Sequence, residues 1–179
     1  VCSSNDISTW SASGTFTTPC FAEIAPWFYD VEAQTGTSAN SVITGCWTGN
    51  PVYSSSVYAW NVSGTGTTPS SSTGPSSAYS GTKYFYTEAS NGSTNAEAEL
   101  LTPMVDVSAL NVPALEFYYH MYGSSMGDLY IEVSDGTTWT LVDSLIGQQQ
   151  TAQNDPWLKK MIPLQGYTGV IQVKFRSIK

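Results

Sequence analysis

Positive charge is scarce in this chain of 179 residues: six Lys and Arg stand against 14 Asp and Glu, a formal net charge of −8. Nucleic acid binding needs a basic stripe to displace phosphate counterions, and attraction to an anionic membrane surface needs the same kind of cluster. Neither is present. No run of about 18 apolar residues occurs, so no segment is expected to insert into a membrane as a helix. The opening Val1-Cys2-Ser3-Ser4-Asn5-Asp6 lacks the basic and apolar regions of a signal peptide. Charged residues make up only 11% of the chain, too few for long exposed helices, which draw on Lys, Glu, Arg and Ala. Cysteine is sparse as well. Cys2, Cys20 and Cys46 do not make a disulfide scaffold, and no Cys-x-x-Cys suggests zinc or redox work. The odd count leaves one thiol over or paired outside the chain; Cys2–Cys20, which closes a short loop, is slightly preferred to Cys20–Cys46.

What the chain does have is flat and small side chains. Eleven Tyr, six Trp and six Phe accompany abundant Ser, Thr and Gly, a composition suited to strands and turns. The length favours one domain with one core. Residues 1–26 read as an irregular N-terminal segment, a linker or a docked arm, and residues 27–179 as the folded unit. Short apolar stretches at Trp27 to Glu32, Val42 to Trp47 and Val57 to Val62 precede a Gly/Pro/Ser/Thr-rich segment, Ser63 to Gly81. Alternation then sharpens: Ala98 and Leu100 against Glu97 and Glu99; Leu115, Phe117, Tyr119 and Met121 on one face; Leu129, Ile131 and Val133 inward. Asp135-Gly136 marks a tight hairpin before Trp139 to Val142. Trp157 to Leu164 follows, and Ile171, Val173 and Phe175 alternate with Gln172, Lys174 and Arg176. Many short strands separated by turns indicate an all-β sandwich or jelly roll.

Several residue sets invite a chemical reading. Gly123-Ser124-Ser125-Met126-Gly127 has the spelling of a hydrolase nucleophile elbow, but that motif needs a strand entering a helix and a later His. Here a strand follows, and the only histidine, His120, precedes the serine, so a hairpin is the better reading. A single His does not make an ordinary zinc site, and His120 is expected to be structural. Glu97 and Glu99, with Glu88, Glu116 and Glu132 as neighbours, are the raw material of a glycosidase pair, yet alternating Glu on a strand is ordinary solvent-facing decoration. Exposed Trp or Tyr would suit a sugar ring. The sequons Asn61-Val62-Ser63 and Asn91-Gly92-Ser93 fit an extracellular chain. No catalytic residue is assigned, and no binding residue can be named.

From Tyr58 onward the residues resemble the MAM domain family, in the form found in secreted multidomain bacterial proteins. The resemblance is carried by Tyr58-Ala59-Trp60-Asn61-Val62, Gly66-Thr67-Thr68-Pro69-Ser70, Thr73-Gly74-Pro75-Ser76, Tyr84-Phe85-Tyr86-Thr87-Glu88-Ala89-Ser90 and Ala98-Glu99-Leu100-Leu101-Thr102-Pro103. Its most specific string is Phe117-Tyr118-Tyr119-His120-Met121-Tyr122-Gly123, followed by Met126-Gly127-Asp128-Leu129, Trp139, Gly147-Gln148 and Trp157. Upstream, Val31-Glu32 resembles the family's opening Phe-Glu and Cys46-Trp47 its Cys-Gly-Trp region.

The resemblance implies a jelly-roll β-sandwich of two antiparallel sheets, without enzymatic activity, in an extracellular or cell-surface protein. The implied role is adhesion or protein interaction, including self-association; the alternative is a carbohydrate-binding module beside a polysaccharide-degrading enzyme. It makes Ser63 to Gly81 an ordered loop. It also implies a structural calcium, with Glu32 and Glu88 as metal ligands. Two departures stand out. Tyr29 and Asp30 occupy the neighbourhood of the family's usual partner for the Cys46 position, and the family's last strand is expected beyond Lys179. The stretch Thr9 to Ile24, or a strand from a neighbouring chain, is the expected substitute for that strand.

Overall fold

The computed structural model describes residues 19–179 as an all-β protein, with eleven strands and no helix among the described residues. They are β1 (Glu23–Ile24), β2 (Thr48–Asn50), β3 (Trp60–Ser63), β4 (Tyr84–Thr87), β5 (Glu97–Leu101), β6 (Val105–Asp106), β7 (Ala114–Tyr119), β8 (Asp128–Ser134), β9 (Trp139–Leu145), β10 (Leu158–Pro163) and β11 (Val170–Ile178). Seven of them form one sheet around β11, which pairs with β8 on one side and with β5 and then β6 on the other. β9 and β2 extend the sheet beyond β8 and β5, and β1 extends it beyond β6. The other layer comes in two pieces, β7–β10 and β3–β4, both antiparallel.

β5 and β6 are one run of chain along β11, interrupted by a bulge. Leu101 faces Lys174 and Val105 faces Ile171, so four residues on one side span three on the other. The cause is Pro103, which has no N–H to give a ladder. Thr102 repairs the gap by donating its own N–H to the Val173 carbonyl at 3.0 Å and accepting the Val173 N–H on Oγ1 at 3.1 Å.

The core lies between the seven-stranded sheet and β7–β10. Leu129, Ile131, Val133, Ile171 and Val173 are buried on one side, with Ile162, Leu115 and Phe117 against them. The rings of Phe117 and Phe175 meet edge-on at 5.1 Å and join the layers. These are the positions that period-2 alternation marks as inward. The fold is therefore the jelly-roll β-sandwich expected from the sequence, with one difference: β1 runs parallel to β6. The apolar stretches Trp27 to Glu32 and Val42 to Trp47 are not strands. They form no ladder, because Trp27, Tyr29 and Trp47 pack with Phe85 into an aromatic cluster, and aromatic burial holds them without strand pairing.

Cys20 is bonded to Cys46, with their Cα atoms 5.7 Å apart, which corrects the preference for Cys2–Cys20. Short loop closure was the wrong criterion. β1 on β6 holds the Cys20 region against the sandwich, where Cys46, next to the half-buried aromatic cluster, meets it. Cys2 and the stretch from Thr9 to Thr18 lie outside the described residues.

Candidate functional site

Three places hold the residues singled out by the sequence: the long loop over β7–β10, the outer face of the large sheet, and the edge formed by β1.

The loop from Ser63 to Gly81 is ordered and pinned along its length. Gly74 N–H donates to the Tyr122 carbonyl at 2.8 Å, Ser76 N–H to the Gln153 carbonyl at 2.9 Å, and the Trp157 indole to the Ser77 carbonyl at 3.0 Å. Tyr79 stacks on Tyr118 with ring centres 3.7 Å apart. His120 lies beneath this covering, 5.8 Å from the Trp157 ring, and neither of its buried ring nitrogens has a hydrogen-bond partner. Burial lowers its pKa, and the charge of the nearby Asp155 carboxylate only partly offsets this. It is a packing residue kept neutral. The Gly-x-Ser-x-Gly stretch is a turn between β7 and β8. Its last glycine is there for space, since a Cβ on Gly127 would lie 1.6 Å from the Ile178 carbonyl oxygen.

Glu32 and Glu88, assigned to a metal, hold two ends of that same covering. Glu32 accepts the N–H groups of Thr82 and Lys83 on Oε1, both at 2.7 Å, and the Thr82 hydroxyl on Oε2 at 3.2 Å. These bonds, led by the Thr82 N–H, hold its carboxyl below the usual carboxylate range. Gly81 makes the seat possible: its φ is +65°, and a Cβ there would lie 2.5 Å from Glu32 Oε1. Glu88 accepts the Ser70 hydroxyl at 2.9 Å and the Ser90 N–H at 3.0 Å. The Lys83 ammonium closes the clamp from the other side by donating to the carbonyls of Glu32 and Gln34. Calcium wants six or more free oxygens. Three of the roughly four acceptor sites of Glu32 are already taken, and a cationic side chain sits on its carbonyl. The arrangement at Glu32 does not fit the ion, and among the described residues no three His, Cys, Asp or Glu side chains converge.

The outer face of the large sheet gathers the paired glutamates. Lys174 reaches Glu132 at 2.6 Å and Glu99 at 3.2 Å; Arg176 reaches Glu132 at 2.8 Å and Glu97 at 3.5 Å. Asn50 donates to Glu99 from the neighbouring strand at 3.0 Å. Two rings roof the cations: Lys174 lies 4.5 Å from the centre of Trp139 and Arg176 lies 4.7 Å from that of Tyr130. Burial alone would raise the Glu132 carboxyl, but hydrogen bonds and charge from Lys174 and Arg176 override it and hold it low. A glycosidase acid needs the opposite, a carboxyl kept protonated near neutral pH. Glu116 lies on the other layer, bridged to Lys159 at 2.8 Å.

The β1 edge falls at the end of the Thr9 to Ile24 stretch that was expected to supply a strand. Phe21, Ile24 and Phe28 are 79%, 76% and 84% exposed around it. What sequence reasoning missed is the exposed apolar set around it, in a segment read as irregular. Of the two sequons, Asn61 is fully buried in β3, its amide bonded to the Ala59 carbonyl.

With this geometry established, known proteins can be set beside it. Neuropilin-1a of Danio rerio is 27% identical over 123 residues, which is 68% of this chain and 13% of that protein, so the chain spans a small part of its relative. Two solved structures share 14% identity at a TM-score of 0.47. They are the K2 cleaved adhesin domain of Lys-gingipain, covering 84% of this chain and 92% of that one, and the K1 cleaved adhesin domain of Lys-gingipain from Porphyromonas gingivalis W83, covering 79% and 92%. The model of the MAM domain, meprin/A5/mu, matches residues 46–179, about three-quarters of the chain. The chain belongs to the MAM domain family.

Proposed function

We propose that this chain is a non-catalytic extracellular module for adhesion or protein interaction within a larger protein, of the form found in secreted bacterial proteins. The MAM match over residues 46–179 carries this reading. The Cys20–Cys46 bond suits an oxidising compartment. No helix among the described residues is long and apolar enough to cross a membrane. The carboxylates with the best claim to chemistry are spent on sheet cohesion, each tied to Lys174, Arg176 or both. Trp139, at 39% the most exposed of the described tryptophans, has its ring against Lys174, which leaves less of it for a sugar. The cation that ties Glu32 to the long loop is the Lys83 ammonium, so calcium is not needed at that point.

The test is a direct contest between ligand classes. Beads carrying the full chain are scored against one another, against a panel of purified extracellular protein domains, and on a glycan array. Saturable binding to a protein is expected. Saturable binding to a glycan, with none to any protein, overturns the proposal.

A further inference from the structure

We infer that the β1 edge is where this module takes its partner, and that the partner supplies an extended segment with Lys or Arg between apolar residues. The inference rests on the protein-interaction reading and gives it a place and a chemistry.

Strand geometry comes first. Glu23 N–H donates to the Met104 carbonyl at 2.8 Å and Ala25 N–H to the Asp106 carbonyl at 2.9 Å. Backbone groups alternate sides along a strand, so the N–H and C=O of Ile24 point away from β6, on the side where no described strand pairs with β1. The other edges of this sheet are β9 and β2. β9 carries a bulge at Val142, opposite Ile131 and Glu132, and β2 ends at Asn50, just before Pro51. An extended peptide can therefore add to β1 by main-chain bonds to Ile24, with side chains deciding specificity.

Side chains then define the partner. Phe21 and Ile24 are exposed, and Met104, on the chain that β1 pairs with, is 44% exposed. Together they offer apolar contact. Asp106 lies beside Ile24 on one face and Glu23 on the other, Asp30 lies a few residues on, and among the described residues none of the three has a cation within salt-bridge distance. No Lys or Arg side chain of this chain is left with which to neutralise them. All six of its cations are engaged elsewhere: Lys159 with Glu116, Lys160 with Asp143, Lys174 and Arg176 in the sheet network, and Lys83 and Lys179 on backbone carbonyls. A second copy pairing β1 to β1 would bring two Glu23 and two Asp106 carboxylates to one short edge without a counter-charge, which disfavours self-association there. A partner strand bearing Lys or Arg meets both the apolar residues and the acids.

The test uses the full chain and a fluorescent, end-capped heptapeptide alternating Val and Lys, followed by polarisation. Controls are the Val/Glu peptide and a Pro/Lys peptide, which keeps the charge but cannot form a strand. The Val/Lys peptide is expected to bind at least about tenfold more tightly than either control. Ile24→Pro, which removes the outward N–H, is expected to lose that preference while its thermal unfolding stays close to that of the original chain. Glu23→Lys with Asp106→Lys is expected to turn the preference toward Val/Glu, which guards against a misfolded proline variant. Equal binding of Val/Lys and Pro/Lys overturns the inference, as does a preference unmoved by the charge reversal. So does a slowly exchanging Ile24 amide in the free monomer, which would mean the chain's own residues fill the edge. So does a concentration-dependent dimer abolished by Ile24→Pro. Binding to a panel protein that survives both variants overturns only the β1 assignment; saturable glycan binding with no protein binding overturns the module reading beneath it.

Discussion

The outer face of the large sheet and the β1 edge of the same sheet are both built from acids beside exposed apolar groups, yet their accounts are opposite. On the face, every glutamate has a cation within reach and each cation has a ring above it, so the charges are satisfied internally and the Lys174 and Glu132 side chains are only 10% and 12% exposed. At the edge, Glu23 and Asp106 have no cation among the described residues and the apolar side chains are exposed. A charge cluster that is already paired stabilises the fold. A charge left unpaired beside apolar surface and an open backbone edge is a place for something else. Net charge alone, −8 for the whole chain, does not separate the two.

The sharpest way to break the contrast is to unpair the face. Glu132→Ala leaves Lys174 and Arg176 without their shared partner, and unfolding in urea should show a loss of about 3 kcal/mol. A loss below about 0.5 kcal/mol would mean the ladder is no more than surface decoration.

Acid tests the same point without mutation. Glu132 and Glu32 titrate below their ordinary value of 4.5 in the folded chain, so their contribution is complete above that pH and is lost as pH falls through the lowered values. His120 adds an earlier step of the same sign. Its folded pKa is below 6.5, so the unfolded chain takes up a proton first and stability falls as pH drops from 6.5 toward the folded value. His120→Phe should remove that step and leave stability at pH 7 unchanged or higher, since two unpartnered buried nitrogens disappear; urea midpoints from pH 7 to 3 would show both.

Smaller effects should separate the regions further. Trp139→Ala uncovers Lys174 and should cost about 1 kcal/mol or less, with partner binding intact. Ile24→Ser should change stability by less than about 0.5 kcal/mol, because Ile24 is 76% exposed, and should weaken binding instead.

How far the sequence reveals this division depends on the range of the interactions. Alternation along a strand is local, which is why the inward faces of β5, β8 and β11 and the hairpin at Asp135-Gly136 could be read directly. The ordered loop could be read only through family resemblance, because its pins, Trp157 to Ser77 and Glu32 to Thr82, join residues far apart in the chain. The same distance hid the ladder: Glu97 and Glu99 look like ordinary exposed residues until Lys174 and Arg176 are brought alongside. Glu32 and Glu88 were found as important acids but given a calcium role, since nothing in the sequence says that Lys83 lands on the Glu32 carbonyl. A strand was expected somewhere in Thr9 to Ile24, but the bounds of β1 and its pairing with β6 were hidden for a further reason. Two residues are too few for a period to show, and its partner β6 lies about eighty residues away.

The most direct test follows backbone amide signals by NMR while the Val/Lys peptide is added to the full chain. The account predicts shifts confined to Phe21 through Ala25 and Met104 through Val107, with the amides of β9 and the Trp139 indole unmoved. Shifts centred on β9, Trp139 and the Lys174 ladder, with β1 silent, would contradict it.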